Sequence, residues 1–78
     1  MEYIGIDLHK NQSQICILSE EGEITQQRIR TERKRLEEVL GGRRGCRILL
    51  EAYTESEWVA RCMEALGHEA AVAVRDRR

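Results

Sequence analysis

Two acids interrupt apolar runs in this chain. Asp7 stands inside Ile4-Gly5-Ile6-Asp7-Leu8, and Glu51 closes Arg47-Ile48-Leu49-Leu50-Glu51. Each sits near the C-terminal end of a strand-like segment. A carboxylate in an apolar setting is costly unless it has a partner, and two carboxylates brought together repel unless a cation lies between them. Magnesium prefers oxygen ligands and often takes one or two carboxylates, completing its shell with water and substrate phosphate. Asp7 and Glu51 are therefore candidate catalytic and metal-ligating residues of a divalent-metal site, Mg²⁺ or Mn²⁺, for phosphodiester chemistry. The competing reading makes Asp7 a turn cap and Glu51 a strand-end acid facing water. Spacing alone does not separate the two; placing the two strands side by side adds weight to the metal pair.

The cations supply the second signal. Net charge is −1, yet Arg28, Arg30, Arg33, Lys34 and Arg35 crowd one stretch, Arg43, Arg44 and Arg47 follow, and Arg75, Arg77 and Arg78 end the chain. The positive charge is almost all arginine, whose planar fork suits phosphate. Lys10, Arg28, Arg30, Arg33, Lys34, Arg43 and Arg44 are the candidate nucleic-acid contacts. Against this stands a solvated helix face in which the same side chains pair with Glu32, Glu37 and Glu38. His9 and Lys10 follow the first acid and read either as phosphate contacts or as surface turn residues.

The elements that must position these groups follow from periodicity. Alternation predicts a strand over Tyr3 to Leu8, with Ile4, Ile6 and Leu8 on one face and Tyr3, Gly5 and Asp7 on the other. A turn at Lys10-Asn11 leads to a second strand, Gln14 to Ser19. Glu20-Glu21-Gly22-Glu23 forms a hairpin turn, and Ile24 to Arg30 a third strand, one-faced or at an edge. Thr31 is a fitting N-cap for a helix to about Leu40, ended by Gly41-Gly42. Cys46 to Glu51 is a fourth strand. Thr54-x-x-Glu57 reads as a capping box opening a second helix, whose stripe of Trp58, Val59, Cys62, Met63 and Leu66 faces the core until Gly67. His68 to Val74 reads as a buried fifth strand, with His68 a structural residue at a helix C-terminus. The order β-β-β-α-β-α-β implies a mixed α/β sheet, and right-handed crossovers put the first and fourth strands side by side and parallel.

Length and composition set the bounds. The chain has 78 residues, enough for a single domain, residues 1–78, with an aliphatic core: 41% is hydrophobic, 35% charged, and there is no phenylalanine or proline. A chain of this size buries only about 60–65% of its unfolded surface, so its stability is marginal. No run is long enough to cross a bilayer and no signal pattern opens the chain, which makes a cytoplasmic location the default. Cys16, Cys46 and Cys62 form no C-x-x-C pair and are expected as buried or half-buried thiols rather than zinc ligands or disulfides.

The blocks YIGIDLHKNQSQICIL, EEGEI, RIRTERKRLEEVL and RILLEAYTESEWVARCMEALGHE resemble the N-terminal domain of DEDD-type insertion-sequence transposases. These are relatives of Piv-type DNA invertases, with a catalytic domain similar to the RuvC Holliday-junction resolvase and to ribonuclease H. The resemblance runs from Tyr3 to about Val72, and GIDLHK and LLEA-x-TES-x-WVA carry most of its specificity. It implies a ribonuclease H-like (RuvC-like) fold, Mg²⁺-dependent DNA strand cleavage and transfer in transposition, and DNA partners at transposon ends and target, in some members chosen through a structured guide RNA. By motif position Asp7 is the family's first acid and Glu51 its second. The family's third and fourth acids lie on a later helix that this sequence lacks, Tyr53 stands where relatives have a small residue, and the family's Asp-Pro-Asn continuation is replaced by Val74-Arg75-Asp76-Arg77-Arg78. The sequence thus reads as a truncated transposase domain with an incomplete metal site, probing of Asp76 as a substitute acid giving way to a solvated tail.

Two other functions compete with that reading. One is a non-catalytic DNA- or RNA-binding or dimerising remnant, since the distal acids are missing and an uncovered sheet face favours homo-oligomers. The other is an actin-like ATPase or sugar kinase, which also opens on a strand of the Ile-Gly-Ile-Asp-Leu type; His9-Lys10-Asn11 in place of a glycine-rich phosphate turn argues against it.

Overall fold

The computed structural model describes residues 1–52 and 57–74. The elements run β1 (Tyr3–Asp7), β2 (Gln12–Leu18), β3 (Ile24–Arg30), α1 (Arg33–Leu40), β4 (Arg47–Ala52), α2 (Glu57–Ala65) and β5 (Glu69–Val74). The five strands form one mixed sheet in the order β3-β2-β1-β4-β5. β1, β2 and β3 pair antiparallel, while β1 with β4 and β4 with β5 pair parallel.

Strand alternation separates two faces. Ile4, Ile6, Ile15, Ile17, Ile29, Ile48 and Leu50 point to one side and are buried together with Leu36 and Leu40 of α1 and Val59, Cys62 and Met63 of α2. Both helices therefore cover the same face, and the core lies between them and the sheet. The other face carries no helix among the described residues.

Glycine places two of the turns. Gly22 has φ +88° in the β2–β3 hairpin, where its N–H donates to the Ser19 carbonyl at 3.0 Å. Gly67 has φ +92° after α2; its N–H donates to the Glu64 carbonyl and the His68 N–H to the Met63 carbonyl, the double bond of a Schellman end.

Several sequence expectations are corrected. Thr31 does not cap α1: the N-cap is Glu32, in extended conformation and without a side-chain cap bond. The Thr31 hydroxyl instead donates to the His9 carbonyl at 2.6 Å and accepts from the buried Ser13 hydroxyl at 2.6 Å. A long-range partner has taken the oxygen that a cap would have used. Trp58, expected in the core, is 38% exposed. The buried arc of α2 is Val59, Cys62 and Met63, and Trp58 falls beside it in the first turn. β5 is an edge strand rather than a buried one; Val72 is on the helix-covered face and still 42% exposed. The proposed cap at Thr54, along with Tyr53 and Asp76, lies outside the described residues.

His68 is structural, with a role different from the expected one. It is buried, its Nδ1 accepts from the Cys46 N–H at 2.9 Å, and its Nε2 donates to the Leu40 carbonyl at 2.9 Å. The ring ties the C-terminus of α1 to the entries of β4 and β5. It does not sit as a cation on the dipole of α2, because one ring nitrogen is an acceptor.

The thiols differ in surroundings. Cys46 and Cys62 are buried and Cys16 is half-buried on the open face. Burial, then the Glu2 carboxylate, pushes the Cys46 thiol up; burial, opposed by Arg33, raises Cys62. A raised folded-state value means that this contribution to stability is intact below the unfolded thiol value of about 8.5 and is lost as pH climbs through the folded values. Native alkylation at mildly alkaline pH is expected to mark Cys16 first, with Cys46 and Cys62 reacting only on unfolding; mass spectrometry of labelled peptides checks this, and fast labelling of Cys62 would contradict it.

Candidate functional site

Asp7 and Glu51 come together. Asp7 ends β1, Glu51 lies near the end of β4, and the two are register partners in the parallel β1–β4 pair. Their Cα atoms are thus about one strand spacing apart, about 4.8 Å, with both side chains on the same face. The Leu8 N–H donates to the Glu51 carbonyl at 2.9 Å, holding the two strand ends level. Neither acid is in the core: the Asp7 side chain is 43% exposed and Glu51 is exposed. Alternation sends both to the open face, where Glu51 meets water and Asp7 does so in part, its Oδ1 being buried on the side of His9.

His9 is the third member of this edge. Its Nε2 is 3.3 Å from Asp7 Oδ1. The turn carrying it is pinned by the Thr31 hydroxyl on its carbonyl and by the Thr31 N–H on the Asn11 carbonyl. Ser13, which is buried, and half-buried Thr31 thereby fix where His9 and Lys10 stand relative to Asp7.

The register extends the row across the sheet. Asp7 is opposite Gln14 on β2, and Gln14 is opposite Arg28 on β3. Arg28, Gln14, Asp7 and Glu51 form one line on the open face, one strand apart at each step. Lys10, Asn11, Gln14 and Arg28 line an open depression with Asp7 and His9. Arg30 borders its neighbour, with Lys10, Asn11 and Thr31.

The seven candidate phosphate contacts separate into groups. Lys10, Arg28 and Arg30 stand at the acid end of the sheet. Arg33 and Lys34 are on α1, on the covered side, and Arg33 lies 4.0 Å from Glu37. Arg43 and Arg44 lie between α1 and β4, toward the opposite end of β4, and Arg43 is paired to Glu2 at 2.9 Å. Gln14 was not among the sequence candidates. It became visible only through the β1–β2 register, although the hairpin pattern already limited its partners.

The donor set suits a hard cation. Two carboxylates on adjacent strand ends match the protein share of many magnesium sites, where water and phosphate complete the shell. Among the described residues no group of three or more His, Cys, Asp or Glu side chains is arranged to hold an ion. Asp7 and Glu51 are the two carboxylates that this sheet edge brings side by side. No helix among the described residues is long and apolar enough to cross a membrane. No protein-family model matches the chain, and it has no significant match among curated proteins.

Proposed function

We propose that this chain carries the first two acids of a ribonuclease H-like metal site from a DEDD-type transposase and acts on DNA phosphodiesters. The observation that carries the reading is the Asp7–Glu51 register pair on an accessible face of a mixed sheet. The sequence resemblance points the same way, through Asp7 in GIDLHK and Glu51 in LLEA. Asp7 and Glu51 would hold Mg²⁺ or Mn²⁺. When bound, the ion neutralises charge on the phosphodiester and activates the attacking oxygen. The chain's own residues bind and align: Lys10 and Arg28 meet the phosphate backbone, and Gln14 supplies a neutral hydrogen-bonding group between them and Asp7. Two-metal phosphoryl transfer needs further ligands beyond this pair. In the full system the partners would be transposon ends and target DNA, a structured guide RNA, and further copies of the chain.

A Mn²⁺ titration followed by backbone NMR tests this. Paramagnetic broadening is expected to concentrate around residues 7 and 51 and to vanish in Asp7→Asn and in Glu51→Gln. Broadening spread over surface acids such as Glu21 and Glu64, or unchanged in both variants, would sink the metal reading.

A further inference from the structure

The open face has a polarity gradient along its strands. Read across the sheet by register, its first row is Ile24, Leu18, Tyr3, Arg47 and Glu69, and its second is Gln26, Cys16, Gly5, Leu49 and Ala71. The third is the row of Arg28, Gln14, Asp7 and Glu51. The large side chains of the first two rows, Tyr3, Leu18, Ile24 and Leu49, are between 39% and 64% exposed. A shallow apolar hollow joins Tyr3, Gly5, Cys16, Leu18 and Leu49. Tyr3 and Asp7 are on one strand, so about 13 Å separates the apolar platform from the polar row.

The cations complete the pattern. Among the described residues, Arg33, Arg35, Arg43, Arg47 and Arg61 each have a carboxylate partner. Five cations among the described residues have none: Lys34 on α1, Arg44 between α1 and β4, and Lys10, Arg28 and Arg30, and the last three gather at the polar end of this face.

We infer that the open face binds a single-stranded nucleic acid, its phosphates on Lys10, Arg28 and Arg30 and its bases laid over the platform of Tyr3, Leu18 and Leu49. Single strands are recognised by a cationic track beside a surface on which unstacked bases rest, with an aromatic ring contributing most. A duplex hides its base faces and would leave the apolar rows against water. A second copy of the chain is the competing occupant of those rows, and the three clustered cations favour a phosphate backbone over it. The inference goes beyond the metal reading and needs no metal.

The test is fluorescence anisotropy in EDTA at low salt, with a labelled oligothymidylate about a dozen nucleotides long, within the usual site size. A duplex of the same length is the comparison. The single strand is expected to bind at least about tenfold more tightly than the duplex, and Tyr3→Ala to weaken it about tenfold with the salt slope unchanged. Leu49→Thr, which keeps a strand-forming residue, is expected to weaken it in the same way. Arg28→Gln is expected to reduce the salt slope by about 0.7, one phosphate contact. Absence of binding, equal or tighter duplex binding, insensitivity to both platform variants, or self-association lost in Tyr3→Ala would each overturn the inference. Because metal is excluded, such a failure leaves the Asp7–Glu51 reading to its own titration.

Discussion

His68→Ala is expected to lower the unfolding free energy by about 2–5 kcal/mol. The substitution removes an acceptor from the buried Cys46 N–H and a donor from the Leu40 carbonyl. Each buried group left without a partner costs about 1–3 kcal/mol. A domain of this length has a total stability of about 4–12 kcal/mol, so the loss is a large share of it. His68→Asn, which keeps one donor and one acceptor on a shorter side chain, should recover part of the loss. Urea unfolding measures it through the midpoint at constant slope. A loss below about 0.5 kcal/mol would show that the ring is not the tie between α1 and the two parallel strands.

Leu50→Ala is expected to cost about 3–5 kcal/mol and to drop Tm by at least about 10 °C. Leu50 is fully buried, flanked in the sheet by Ile6 and Val72 and covered on the helix side. Leu49, one residue earlier, points to the open face and is 49% exposed. Leu49→Ala should therefore stay within about 1 kcal/mol. The contrast between adjacent leucines measures how different the two faces are in solution. Equal losses would mean that the open face is packed against something, and thermal unfolding at several protein concentrations would then separate self-association from a monomer.

Much of this arrangement was legible in the residues. The alternation of Ile4 and Ile6 against Tyr3, Gly5 and Asp7 fixed which side of β1 is buried, since period 2 leaves one choice once a core exists. The element order and the crossover rule together brought β1 and β4 side by side, and so Asp7 beside Glu51. What sequence could not supply was the competition among long-range partners. Thr31 is a good cap by type, but the His9 carbonyl and Ser13 hydroxyl reached it first. His68 looked like a residue of the helix before it, and its partners turned out to be Leu40 of α1 and Cys46 just before β4. Trp58 fitted the apolar stripe of α2 by spacing, yet the helix turned a neighbouring arc inward. β5 is apolar in composition because small and branched residues suit a strand, while its edge position, invisible locally, leaves it half covered. Most strand ends moved by a residue or two, which affects none of the register pairs at the site.

The parallel pairing of β1 with β4 also has a consequence in time. β1, β2 and β3 are joined by short turns and can zip locally, whereas β4 reaches β1 only after more than half the chain has been looped back. That closure carries the larger entropic toll and belongs to the slow, non-local part of assembly. An unfinished chain with its first hairpins formed would therefore hold Asp7 without Glu51. The pair of acids is a product of completed folding, and in a nascent or partly unfolded copy the two carboxylates stand apart.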